Sequence, residues 1–204
     1  MIFEAVSVGS MEVNCYILAQ KENERAVIID PGAQPRKIRK VLEKHKLAPG
    51  IVINTHGHFD HIGADNDFNV PVYVHEQDAA MLKDAMLNMS GLFAVPFTVK
   101  AELKILEDNQ VLEFGGIKLK VMHTPGHTRG GISLLLLEPE GKKAFTGDTL
   151  FCRGVGRSDL NGGSPEELSK SIREKLFTLP DETRIYPGHG PSSTIGAEKI
   201  AGLI

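Results

Sequence analysis

The segment richest in metal-binding side chains is Thr55-His56-Gly57-His58-Phe59-Asp60-His61. It places three imidazoles and one carboxylate within six residues, directly after the apolar residues 50–54 that predict a buried strand. Imidazole and carboxylate ligands suit Zn²⁺, Fe²⁺ or Mn²⁺, and the lack of a nearby thiolate argues against a structural zinc finger. We therefore expect a metal site that follows the end of a strand.

The spacing of these histidines favours an irregular loop over a helix. Helical zinc motifs place two histidines four residues apart, a spacing that this segment does not contain. In extended backbone alternate side chains share a face, so His56 and His58 would point to one position. A turn after them would direct Asp60 and His61 toward a second position.

Three further turns carry candidate ligands, and each follows a predicted strand. They contain His123 and His127, Asp148, and His189. A single histidine or aspartate in a turn is most often a turn former or a helix cap, so each turn is weak evidence by itself. Together with the first segment, however, the three turns complete one pattern.

The apolar pattern predicts a mixed sheet with helices outside it. The first half of the chain predicts a β-α-β-α-β order, and the second half is richer in strands. The predicted strands span residues 26–30, 50–54, 70–74, 117–121, 131–137, 143–146 and 184–186. The predicted helices span residues 36–46, 76–87 and 164–179, and the last of these opens on a capping box formed by Ser164 and Glu167.

Composition excludes several classes of protein. The 204 residues are 41% hydrophobic and 24% charged with a net charge of −3, which is typical of one globular domain and shows no basic excess for nucleic-acid binding. The apolar runs, including the four leucines at residues 134–137, are too short to cross a membrane. Because the first residues lack a signal-peptide pattern and only two cysteines occur, we expect a cytoplasmic protein.

The four motifs together resemble the metallo-β-lactamase superfamily. They lie at residues 55–61, 124–128, 145–151 and 186–190, and the loop at residues 154–159 is similar to that of the glyoxalase II-like branch, especially its short bacterial members. The resemblance implies an α/β (α+β) fold, a four-layer αββα sandwich with a dinuclear metal site at one edge. It also implies a single domain over residues 1–204, without the C-terminal helical domain that binds glutathione in longer glyoxalase II enzymes.

Seven side chains are the ligands that this resemblance implies. The first metal would be bound by His56, His58 and His127. The second would be bound by Asp60, His61 and His189, with Asp148 bridging the two. In the family pattern the ligand is the histidine directly after Pro-Gly, so the pattern selects His127 over His123. We expect two divalent ions, in the first place Zn²⁺, although Fe²⁺ and Mn²⁺ also suit these ligands.

The implied reaction is hydrolysis of S-lactoylglutathione or a related hydroxyacyl thioester. Two metals would share a water, lower its pKa toward 7 and so supply a bridging hydroxide that attacks the carbonyl. Asp60 would act as the general base. Arg157 stands where longer enzymes often have a lysine that contacts glutathione, so it is predicted to bind the substrate, the alternative being an ordinary surface ion pair. Pro191 and Asp159 replace aromatic residues of those enzymes, which leaves glutathione open as the carrier.

Two functions of other classes remain as alternatives, and within the superfamily a lactonase or β-lactamase activity is not excluded by the metal ligands alone, although the loop at residues 154–159 favours the glyoxalase II-like branch. Persulfide dioxygenases share His56, His127 and Asp148 as a single-iron site and carry a similar loop, so the number of metals distinguishes the two activities. A non-catalytic binding module would be expected to have lost ligands. In either enzymatic case the predicted partner is a small molecule, with no nucleic acid or membrane involved and the oligomeric state left open.

Residues 87–97 are unusually apolar for a loop. They include Leu92, Phe93, Val95 and Phe97. Three interpretations are open: packing in the core, a subunit contact, or a wall of the substrate entrance.

Overall fold

Two six-stranded mixed sheets lie face to face in the computed structural model, which describes residues 1–137 and 142–202. The first sheet contains, in spatial order, β1 (Ile2–Val8), β2 (Val13–Ala19), β3 (Arg25–Ile29), β4 (Ala48–Ile53), β5 (Val72–His75) and β6 (Leu103–Leu106). Strands β1 to β3 are antiparallel, whereas β3 to β6 are parallel. The parallel strands therefore end at the same edge of the sheet.

The second half of the chain supplies the other sheet. Its strands are β7 (Val111–Phe114), β8 (Ile117–His123), β9 (Ile132–Leu136), β10 (Lys143–Gly147), β11 (Leu150–Phe151), β12 (Gly154–Val155), β13 (Arg184–Pro187) and β14 (Ser193–Thr194). The short strands β11 and β12 pair with each other, and the rest form the sheet in the order β14-β13-β10-β9-β8-β7. Only the β10–β13 pair among these strands is parallel.

Helices cover the outer faces of both sheets. They are α1 (Pro35–Lys44), α2 (Phe59–Ile62), α3 (Ala79–Lys83), α4 (Ser90–Phe93), α5 (Pro165–Ser171) and α6 (Ile195–Ala201), with a π-helical turn (Ile172–Leu176) directly after α5. Ile38 and Leu42 of the amphipathic α1 pack on the first sheet. Leu168 of α5 and Ile195 of α6 pack on the second. No helix within the described ranges is long and apolar enough to cross a membrane.

The core between the sheets completes a four-layer arrangement. Leu18 and Ile53 of the first sheet and Leu119 and Phe145 of the second are fully or almost fully buried in one apolar cluster. Because helices lie outside each sheet, the order of layers is α, β, β, α. The expectation of an αββα sandwich is therefore confirmed.

The predicted elements agree with the structure in most places, but one helix is wrong in length and the strands β1, β2, β6 and β7 were not predicted. Ser164 is confirmed as the N-cap, since its hydroxyl accepts a hydrogen bond from the Glu167 main-chain nitrogen. The reciprocal half of the capping box is not formed, because the Ser164 main-chain nitrogen donates to the Gly126 oxygen instead. The helix predicted over residues 76–87 is wrong in length, because α3 ends at Lys83 and Asp84 is extended. The β-α-β-α-β order also omitted the hairpin of β1 and β2, which precedes it.

Candidate metal centre

The predicted ligands follow four strands that end at one edge of the sandwich. Residues 55–61 follow β4 of the first sheet, while His127, Asp148 and His189 follow β8, β10 and β13 of the second. Residues 55–58 are irregular, as expected, and one turn of helix, α2, then carries Asp60 and His61. The two sheets thus bring all seven predicted side chains together.

The first cluster consists of His56, His58 and His127, all three buried. Their candidate ligand atoms lie within 4.8 Å of one another, and His58 Nδ1 is 2.9 Å from His127 Nε2. His56 Nε2 is buried and has no hydrogen-bond partner among the described residues. A buried polar atom without a partner is unfavourable unless something else satisfies it, and a metal ion would do so here.

The second cluster consists of Asp60, His61 and His189. His189 Nε2 lies 3.3 Å from Asp60 Oδ2 and 3.4 Å from His61 Nε2. His61 is fully buried, whereas Asp60 and His189 are partly accessible. This cluster therefore has one side open to a pocket.

Asp148 lies between the two clusters. Its Oδ1 is 3.3 Å from His61 Nε2, and its Oδ2 is 3.6 Å from both His127 Nε2 and His189 Nε2. One carboxylate thus approaches a histidine of the first cluster and two of the second. Histidine and carboxylate clusters of this kind bind divalent metal ions.

Hydrogen bonds on the far side of the rings hold three of the histidines in place. His61 Nδ1 donates to Asp30 Oδ2 at 3.0 Å, and His189 Nδ1 donates to the Met11 main-chain oxygen at 2.9 Å. His127 Nδ1 donates to the main-chain oxygen of Arg157 at 2.7 Å. Such bonds fix the tautomer and leave Nε2 free for a metal. Asp30 was not among the predicted site residues, although this residue directly follows the apolar β3 as the other candidates follow their strands.

Burial and neighbouring charges shift the pKa values of the clustered groups, and for the histidines the direction differs between the two clusters. Burial, aided by the neighbouring histidines, holds the pKa of His56 well below its usual value and lowers the pKa of His58 to about 3. Both rings are therefore neutral at neutral pH. Burial opposes ionisation of Asp60 and Asp148, but nearby histidines, His61 above all, outweigh it and lower the pKa of both carboxyls. At His61 and His189 the shift is opposite: burial opposes protonation, but the neighbouring carboxylates outweigh it and raise the pKa of both rings. Neutral imidazoles and ionised carboxylates are the forms that bind metals, so a metal ion would have to displace protons in the second cluster.

Strand β2 fastens the loop that carries His189. The Asn14 side-chain nitrogen donates to the main-chain oxygens of Pro187 at 3.0 Å and Gly190 at 2.8 Å. The Tyr16 hydroxyl donates to the Pro187 oxygen at 2.6 Å. The overlooked hairpin is consequently part of the support of the second cluster.

A pocket of about 390 Å³ opens over both clusters. Candidate ligands form its floor, and its wall includes the apolar side chains of Met11, Phe59, Met89, Phe93 and Leu160. The rings of Phe59 and Phe93 stack with their centroids 6.5 Å apart. The pocket therefore combines a polar floor with an apolar wall.

The apolar residues 87–97 do not share one environment. Phe93 is 68% exposed and Val95 82% exposed, so core packing is wrong for both residues. Phe97, in contrast, packs against the core cluster. Phe93 and Met89 line the pocket, which supports the substrate-entrance interpretation for these two side chains.

The position of Arg157 is compatible with both interpretations that the sequence left open. It lines the pocket, yet its guanidinium forms a double contact with Asp159, at 2.8 Å and 2.9 Å. Both side chains are largely exposed, at 61% and 70%. The ion pair and the pocket position are both present.

Comparison with known proteins identifies the family. The sequence profile described as metallo-beta-lactamase superfamily matches residues 8–189. A probable metallo-hydrolase of Bacillus subtilis, YqgX, is 36% identical, with 98% of this chain and 95% of that protein covered. The hydroxyacylglutathione hydrolase GloC of Haemophilus influenzae is 34% identical over the same shares of the two chains.

Solved structures show the same fold. The B3 metallo-beta-lactamase BLEG-1 superposes with a TM-score of 0.89 at 36% identity, covering 98% of this chain and 97% of that one. TTHA1623 in a di-iron-bound form gives a TM-score of 0.82 at 32% identity, with 96% of each chain covered. ETHE1 from Myxococcus xanthus gives 0.80 at 29% identity, covering all of this chain and 84% of that one. The protein belongs to the metallo-beta-lactamase superfamily.

Proposed function

We propose that this protein is a dinuclear metal-dependent hydrolase that cleaves S-lactoylglutathione or a related hydroxyacyl thioester. The observation that carries the proposal is the position of Asp148, whose two oxygens approach histidines of both clusters. The similarity to GloC supports hydroxyacylglutathione as the substrate class. That relative is covered over 95% of its length, so a protein of about this size carries that name.

The seven residues predicted as ligands supply two adjacent sites. His56, His58 and His127 would bind one divalent ion, and Asp60, His61 and His189 the other, with Asp148 shared. Zn²⁺ is the expected ion, and the di-iron form of TTHA1623 shows that a protein of this fold also accepts iron. Two bound ions would supply an activated water nucleophile and polarise the thioester carbonyl.

The chain's own groups take the remaining roles. Asp60 is ionised and faces the pocket, so one of its oxygens is available to hold the proton released by the attacking water. A thiolate is a good leaving group and needs little help from a general acid. The apolar wall at Met89 and Phe93 would pack against the carbon atoms of the substrate, and Arg157 would face a carboxylate of the thiol carrier. We place this reaction in the cytoplasm and assign it to a single domain.

Persulfide oxidation at one iron is the alternative. His56 and His127 belong to one cluster, and Asp148 Oδ2 lies 3.6 Å from His127 Nε2. The residues of a single-metal site are thus also close together. The second cluster, which a single-metal enzyme does not need for its chemistry, favours the hydrolase.

The experiment that tests the proposal measures metal content and activity on one preparation. We expect two metal ions per chain and release of free thiol from S-lactoylglutathione, with kcat/KM above about 10⁴ M⁻¹s⁻¹. Asp60→Ala should abolish thiol release, and Asp67→Ala, at an exposed aspartate outside the pocket, should retain it. One iron per chain with oxygen consumption on glutathione persulfide would overturn the hydrolase in favour of the dioxygenase.

A further inference from the structure

A buried carboxylate behind the first cluster makes three hydrogen bonds. Asp78 lies at the end of the short 3-10 turn (Glu76–Asp78) that follows β5, and its exposed fraction is 0%. Its Oδ2 accepts hydrogen bonds from the Gly57 main-chain nitrogen at 3.0 Å and the Thr128 hydroxyl at 2.7 Å. Its Oδ1 accepts one from the Gly130 main-chain nitrogen at 2.6 Å. The candidate ligands themselves are not among these partners.

The three donors belong to the two loops that carry the first cluster. Gly57 lies between His56 and His58, and Thr128 directly follows His127. One loop follows a strand of the first sheet and the other a strand of the second. The carboxylate of Asp78 therefore bridges the two sheets at the point where the histidines of the first cluster converge.

At both glycines the backbone approaches the segment of residues 78–81 too closely for a side chain to fit. A Cβ at Gly57 would lie 2.6 Å from Met81 Cβ, and one at Gly130 would lie 2.5 Å from the Asp78 main-chain nitrogen. Distances below about 3 Å are not found for real Cβ atoms. Both loops are thus packed directly against the segment that carries Asp78, so a change in its side chain would be transmitted to them.

We propose that Asp78 is a positioning residue that sets the spacing of His56, His58 and His127, and with it the metal affinity of the first cluster. All three of its partners are donors, so only a group that accepts on both oxygens satisfies them. An asparagine at this position would place its NH₂ group against at least one of these N–H or O–H donors. Because two donors repel each other, the loops would be forced apart. The second cluster has a different support, because His61 is held by Asp30. This inference rests on the proposed metal centre.

The test is stepwise metal titration of the metal-free protein. We expect the wild type to bind two Zn²⁺ ions, and Asp78→Asn to lose about 10-fold in affinity for one of them. This is the lower end of the range found when a group hydrogen-bonded directly to a ligand is removed, because Asp78 acts through the loops that carry the ligands. Histidine ring signals in NMR spectra would identify the weakened site. Those of His61 and His189 should still respond to the first equivalent of Zn²⁺, and those of His56 and His58 should not.

Glu198→Gln is a matched control for the loss of a buried carboxylate. Glu198 is 3% exposed and accepts hydrogen bonds from the Arg153 main-chain nitrogen and the Ser193 hydroxyl, outside the metal centre. This variant should bind two ions with wild-type affinities. Equal weakening in both variants, or unchanged affinities in Asp78→Asn, would overturn the inference. A wild type that binds no metal would instead overturn the proposed centre itself.

A second pair of variants tests the positioning role of Asp78 if the Asp78→Asn protein does not fold. Thr128→Val removes one of the three donors and keeps the side-chain shape, whereas Thr128→Ser keeps the hydroxyl. We expect Thr128→Val to weaken the first site and Thr128→Ser to restore it. The same affinity in both variants would contradict the positioning role of Asp78.

Discussion

His127 donates a hydrogen bond from Nδ1 to the main-chain oxygen of Arg157, with 2.7 Å between the two atoms. The residue predicted to contact the substrate thus also supports a candidate metal ligand, but through its backbone. Its guanidinium points elsewhere and pairs with Asp159. Side-chain substitutions at Arg157 therefore separate substrate binding from support of the metal.

Arg157→Ala should leave metal content unchanged and weaken binding of anionic thioesters. An exposed ion pair contributes about 0.5–1 kcal/mol, so we expect KM for S-lactoylglutathione to rise about two- to fivefold at constant kcat. Asp159→Asn frees the guanidinium and should lower the same KM. Steady-state kinetics on both variants check this, and an unchanged KM in Arg157→Ala would remove the residue from the substrate site.

Phe93→Ala should reduce affinity for substrates with an apolar group. The ring lines the pocket and is 68% exposed, so substrate would cover surface that is now open to water. We expect KM to rise about three- to tenfold, in line with partial burial of an aromatic ring, with no loss of thermal stability. Leu92→Ala is the control, since Leu92 is 58% exposed and does not line the pocket. Equal effects of both substitutions would argue against a substrate wall at Phe93.

Removal of metal should lower thermal stability without unfolding the protein at room temperature. A ligand that binds only the folded state at 100 times its Kd stabilises that state by about 2.7 kcal/mol. For a chain of this length, that corresponds to a Tm lower by about 5–10 °C after chelation. Calorimetry before chelation, after it and after addition of Zn²⁺ measures the effect. A Tm that is unchanged by the chelator would contradict metal binding at these clusters.

His75 should make the protein less stable in mild acid. Burial, aided by the neighbouring His123, lowers the pKa of His75 to about 4. Between pH 6.5 and pH 4 the unfolded chain therefore binds a proton that the folded chain does not, so the free energy of unfolding falls as pH falls. The contribution at pH 5 is at most about 2 kcal/mol.

His75→Asn would remove this pH dependence. The asparagine oxygen still accepts the hydrogen bond that the Gln77 main-chain nitrogen donates to His75 Nδ1. Denaturant unfolding of both proteins at pH 7 and pH 5 gives the comparison, in which metal release affects both equally. Between pH 7 and pH 5 the free energy of unfolding should fall more for the wild type than for the variant. Equal decreases in the two proteins would contradict the role assigned to His75.

The sequence predicts the residues of the metal centre more completely than it predicts the contacts that support them. His56, His58, Asp60 and His61 lie in one short segment, so local pattern alone reveals them. The contact between Asp78 and Gly130 joins residues far apart in the chain, and no local pattern specifies it. The family resemblance adds one residue that local pattern leaves undecided, because it selects His127 over His123 as the ligand.

Local competition explains the error in helix length. The apolar residues of 76–87 favour a helix, but Asp84 Oδ1 accepts hydrogen bonds from the Met86 and Leu87 main-chain nitrogens. An aspartate that bonds its own following backbone competes with helical hydrogen bonding. In the hairpin, β1 is only partly buried and its pattern is correspondingly weak. Strand β2, in contrast, is almost wholly buried, and its apolar run at residues 15–19 was a signal that could have predicted it.

The attachment of the His189 loop to β2 bears on how the protein is made. Asn14 and Tyr16 are separated from their partner Pro187 by 173 and 171 residues. The ribosome synthesises Asn14 and Tyr16 long before Pro187. Contacts between residues so far apart in the chain also form slowly. During synthesis the growing chain exposes His56, His58 and His61 while His189 is still missing. Metal loading of the complete site is therefore a late event in biogenesis, and loss of the first strands would damage a ligand at the opposite end of the chain.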